Sequence, residues 1–172
     1  MTAKRIVSIL GLTVLLCGSA VAEDPTAVVY DAESALAALK NLEGEWMGSS
    51  QGGGSASSVR YEVIAAGGTV VKTYAPGAPN EMLTVYHMDG DDLVLTHYCA
   101  LDNQPRMRFV ASDRPGEIRF EFDGGTNFDP NVDAHAHEGW TRIHDDGSVE
   151  TESIGHAGGE PRPARRSTLR RR

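Results

Sequence analysis

A chain of 172 residues with a formal charge of −8 and 40% hydrophobic residues is long enough for one domain with its own core. Its acidic balance excludes nucleic acid as a general partner; the six arginines after Glu160 are the one basic run, able to touch an anionic surface. It has two cysteines, Cys17 and Cys99, and Cys17 falls in an apolar leader, so a processed chain would hold Cys99 alone and no internal disulfide.

The leader has the parts of a secretory signal. Lys4 and Arg5 are followed by an apolar run over 6–17 and by the small-x-small site Ala20-Val21-Ala22. Cleavage after Ala22 removes both cations and takes the charge to about −10. The apolar run is shorter than the ~20 residues a transmembrane helix needs. The expected organisation is a signal peptide over 1–22, a lead over 23–30 and one domain over 31–172, in the periplasm or secreted.

Asp31 is placed to N-cap a helix over 32–41, with Leu36 and Leu39 on one face. From Leu42 onward the pattern changes to short alternating runs bounded by turn residues. Strands are expected over 44–49, 57–64, 69–74, 81–87, 92–100, 106–111, 117–122, 134–143, 148–154 and 164–170. Short connections without intervening helices make neighbours antiparallel, so the fold class is all-β, an up-and-down barrel of about 8–10 strands with a short N-terminal capping helix.

In the fourth hairpin a three-residue loop with Gly90 left-handed would pair Val85 with Leu93 and Leu83 with Leu95. The face carrying Leu83, Val85, Leu93, Leu95, His97 and Cys99 is the more apolar and is expected inside. Strand direction alternates, so connections sort by end. Those at 65–68, 88–90, 112–116 and 144–147 are tight, and the helix is placed to cover them. Those at 50–56, 75–80, 101–105, 123–133 and 155–163 are longer and ring the other end, which makes the barrel a cup for one small ligand.

The residues Leu39-Lys40-Asn41-Leu42-Glu43-Gly44-Glu45-Trp46 resemble the opening of lipocalin-like barrels, a short helix leading into Gly-x-Trp. Those barrels often close with a basic residue of the last strand over the tryptophan. The resemblance implies that Gly44 and Trp46 are closed by Arg165, Arg166 or Arg170, with Arg166 taken as the partner. A closer resemblance is to uncharacterised bacterial exported lipocalin-like (calycin-like) proteins. It rests on Thr84-Val85-Tyr86-His87, Thr96-His97-Tyr98-Cys99, Asn103-Gln104-Pro105-Arg106-Met107 and His135-x-His137. It implies the fold and no activity. Gly139 and Trp140 depart from its pattern and leave the facing of the 134–143 strand open.

The candidate ligand site gathers near the loop-bearing end: His97, Cys99, His135 and His137, with Asn103 and Arg106 as donors for an anionic or carbonyl group. Three imidazoles and a thiolate also suit a transition metal, although their spacing matches no metal signature. The expected function is to bind a small, partly apolar molecule. The alternatives are a metal- or haem-binding protein or small enzyme using these histidines, and a structural barrel without ligand. No catalytic residue, cofactor or metal is assigned from the sequence.

Overall fold

The computed structural model describes residues 28–50 and 57–172. The leader expected over 1–22 lies outside the described residues, as do most of the lead and the 51–56 connection. No described helix is long and apolar enough to cross a membrane.

Helix α1 (Ala32–Lys40) starts at a complete capping box. The Asp31 carboxylate accepts the Ser34 N–H at 2.8 Å, and the Asp31 N–H donates to the Ser34 hydroxyl at 3.0 Å. Its apolar stripe, Ala35, Leu36 and Leu39, is buried in the core.

The strands follow as β1 (Gly44–Ser50), β2 (Ser57–Ile64), β3 (Thr69–Tyr74), β4 (Met82–Asp89), β5 (Asp92–Tyr98), β6 (Gln104–Val110), β7 (Glu117–Thr126), β8 (His135–Ile143), β9 (Val149–Ala157), β10 (Glu160–Pro161) and β11 (Arg165–Arg171). Each of β1 to β9 pairs antiparallel with the next. β11 then pairs with both β9 and β1, closing a ring of ten strands, while β10 folds back on the end of β9. This is a closed all-β, up-and-down barrel with one short helix, consistent with a lipocalin-like fold. α1 packs against β2, β3, β4 and β5. The largest extensions beyond expectation are β7 to Thr126 and β9 to Ala157, and β10 lies in a stretch read as loop.

The barrel closes on Trp46 through Arg171, which corrects the choice of Arg166. Arg171 stands opposite Trp46 in the β1–β11 ladder, and its guanidinium carbon lies 4.6 Å from the centre of the indole. The same guanidinium donates to the carbonyls of Glu43 at 2.5 Å and Asn41 at 3.2 Å. The indole Nε1–H donates to Leu42 O at 2.7 Å. Arg166 is instead exposed and paired with Glu152. Gly44 is required here on two counts. Its φ is +128°, and a Cβ would stand 2.7 Å from Arg171 Nη1.

The β4–β5 register also differs from expectation. The turn has two residues, Gly90-Asp91, with Gly90 at φ +63°, so Asp89 faces Asp92 and Tyr86 faces Leu95. That shift of three residues, an odd number, turns every β4 side chain over. Thr84 and Tyr86 are buried inside, and Leu83 and Val85 move to the outer face. β5 keeps its expected facing, with Leu93 and Leu95 in the core.

Candidate functional site

A polar row runs across four adjacent strands inside the barrel. Tyr61 of β2 faces Lys72 of β3, Lys72 faces Thr84 of β4, and Thr84 faces His97 of β5. Period two explains how the row is built, since Lys72 shares the inner face of its strand with Val70 and Tyr74. Lys72 is only 4% exposed. Its ammonium lies 4.7 Å from the centre of the Tyr74 ring and 5.4 Å from that of Tyr61. No carboxylate of the described residues forms an ion pair with it; Asp89, Asp92, Glu138 and Glu152 pair with arginines instead.

Burial acts to lower the Lys72 ammonium. The electron-rich phenols of Tyr61, Tyr74 and Tyr86 more than offset it and hold the group well above the ordinary lysine value. Lys72 is therefore charged at neutral pH. Beside it the buried Tyr61 hydroxyl meets the Lys72 ammonium and favours its charged form. Burial raises both the Tyr61 and Tyr86 phenols, which keeps them protonated and able to donate.

His97 closes the row. Its Nδ1 lies 2.9 Å from the Thr84 hydroxyl, and its ring meets Tyr74 edge-on at 5.8 Å. Burial, and then the positive charge of Lys72, pull its pKa down to about 4. The imidazole is thus neutral at neutral pH and leaves Lys72 as the cation of the row.

His135 and His137 belong to a different cluster. A β-bulge between Ala136 and Glu138 interrupts the β8–β9 ladder, and His135 faces His156. His135 is 3% exposed. Its Nδ1 lies 2.9 Å from the Asp133 carbonyl, which can only accept, so Nδ1 carries the proton in the neutral ring. Its Nε2 then accepts from His137 Nδ1 at 3.0 Å. His137 is stacked between two rings, Phe122 at 4.7 Å and His156 at 3.6 Å, with interplanar angles of 16° and 9°. Phe128 packs on His135 at 4.8 Å. Burial, followed by repulsion from His156 and His135, lowers the His137 pKa.

Parallel imidazoles carry their lone pairs in parallel planes, which do not converge on one ion. Among the described residues no three His, Cys, Asp or Glu side chains are placed to hold a metal.

The remaining expected site residues are dispersed. β5 ends at Tyr98, so Cys99 sits in the following turn, half-buried, with its N–H donated to Asn103 O at 3.0 Å. Asn103 is buried and staples that turn to the next loop, its Nδ2 donating to Ala134 O at 2.8 Å. Arg106 pairs with Asp89 at 2.7 Å and Asp123 at 3.5 Å, alongside Arg108 and away from the inner row. No hydrogen bond or ring contact of the described residues joins His97 to His135 or His137.

Two cavities among the described residues stand out. One of about 390 Å³ is lined by residues of the 111–119 segment, and one of about 280 Å³ lies between Tyr30, Trp46, Gly147 and Arg171. Both are at the helix-covered end, and neither is lined by His97, Cys99, His135 or His137. Sequence reasoning missed Lys72, Tyr61 and His156. Alternation could have placed Lys72 with Val70 and Tyr74, whereas His156 fell beyond the expected end of its strand. No family model matches the chain, and no curated protein matches it either.

Proposed function

We propose that this barrel binds a small, partly apolar molecule in its interior, and that the chain is exported to the periplasm or beyond. The observation that carries the binding reading is the inner row of Tyr61, Lys72, Thr84 and His97. A barrel closed only for stability gains nothing from a buried ammonium without a counter-charge, because desolvating an ion is costly unless it is paired. The apolar half of the site lies one residue pair deeper, where Tyr86 faces Leu95 and packs on Phe120 at 5.6 Å. The Sec-type leader and the likeness to exported lipocalin-like proteins support the location.

Native mass spectrometry of the full chain, purified without heating or denaturant, tests the reading. A single co-purified small molecule, released by unfolding, is the expected result. Repeated preparations from different media that carry no small molecule would overturn it.

A further inference from the structure

We infer that His135, His137 and His156 form an acid-released clasp, which holds the 128–133 loop down while the rings are neutral and frees it when the cluster takes up protons. The loop rests on the cluster at two points. Its Asp133 carbonyl accepts the His135 Nδ1–H at 2.9 Å, and its Phe128 ring packs on His135 at 4.8 Å. Both need His135 in place, and His135 is held from the far side by His137, whose Nδ1–H it accepts at 3.0 Å. A third link comes from the turn after His156, where Gly158 donates its N–H to Val132 O at 3.0 Å. Asn127 and Ala134 are bonded to Asp102 and Asn103 and fix the ends, so what is freed is the span between.

This chain of rings has room for one proton and not for two. A single charge on His137 keeps its bond to His135 and lies between the faces of Phe122 and His156. A second proton has two places to go. On His135 it sets N–H against N–H across 3.0 Å, and on His156 it sets cation face to face with cation at 3.6 Å. The surrounding carboxylates do not relieve this. β7 offers Glu121, which acts on His137 less than burial, His156 or His135 do, and β8 offers Glu138, which is paired with Arg119. Asp129 and Asp133 accept N–H groups of their own loop, and β10 sets Pro161 opposite His156 and Glu160 opposite Ala157. Among the described residues the only histidine ion pair is that of His144 with Glu150, at the helix-covered end.

Nitrogen-15 relaxation on the full chain at pH 7.5 and 5.5, with the ring resonances of the three histidines followed between, tests the inference. His97, held at about 4, stays neutral across that window. The loop amides are expected to fall from a rigid order parameter of about 0.85 to below about 0.6, with the midpoint at which the rings titrate. His156→Phe keeps the stack and removes one of the two charges, so its loop is expected to stay ordered at pH 5.5. A parent loop equally ordered at both pH values, one already mobile at pH 7.5, or one released in His156→Phe at the parent's midpoint would each overturn the clasp. Should that variant not fold, the parent decides alone, because release of its loop away from the midpoint of the rings would overturn the clasp too.

Discussion

The two histidine clusters are built on opposite principles. On β2–β5 the ladders are regular and the inner row holds a cation against phenol rings, with no carboxylate of the described residues paired to it. On β8 and β9 a bulge gathers His135, His137 and His156, and the rings meet one another's hydrogen-bonding and stacking needs. Histidines that satisfy each other are cement. A buried charge without a counter-charge is an opening for something else. The contrast gives the second cluster a packing role and leaves the first as the row on which the proposed binding rests.

Acid should separate them most. A histidine with a folded value near 4 against an unfolded one near 6.5 takes up its proton first in the unfolded chain. Its contribution is full above pH 6.5 and is lost as the pH falls towards 4, a difference of roughly 3 kcal/mol. Urea unfolding of the parent between pH 7 and 4 should therefore fall more steeply than that of His97→Gln. Parallel curves would remove the enforced neutral ring.

A smaller, unequal pair of effects comes next. His135→Ala removes a 3% exposed ring bonded at both nitrogens and should cost about 2–4 kcal/mol in urea unfolding. Lys72→Met should cost less than His135→Ala, since an apolar side chain of similar length keeps the packing and loses only the contacts of the ammonium to Tyr61 and Tyr74. If Lys72→Met destabilises and His135→Ala does not, the two clusters have been assigned the wrong way round. The smallest effect is on His97 itself. Lys72→Met should raise its NMR titration midpoint, which stays below the ordinary value because burial, the larger cause, persists.

The barrel was legible because each strand is bounded by turn residues and alternates within itself. Asp31 marked the helix start for an equally local reason. What escaped depends on register. A three-residue turn over Met88-Asp89-Gly90 and a two-residue turn over Gly90-Asp91 differ by three residues of pairing, and that choice decided whether Val85 or Tyr86 faced inward. The 165–171 strand offers arginines on both faces, so its facing alone did not single out Arg171 for Trp46. The site was half legible for a related reason. His97 lies on a regular strand, whereas His137 is the residue a bulge re-aims, and Lys72 was hidden because a lysine on an inner face contradicts the pattern that finds cores.

The clamp on Trp46 also sets the order of assembly. Arg171 reaches back 128 residues to the carbonyl of Glu43, and until β11 arrives both β1 and β9 present unpaired edges. Contacts of that sequence separation form slowly, because the loop must lose its freedom before any pairing rewards it. A nascent chain is consequently an open sheet for most of its emergence, with Lys72 reachable from the side. The seam between first and last strand is the final act of folding, and an occupant already in place by then would be enclosed rather than admitted.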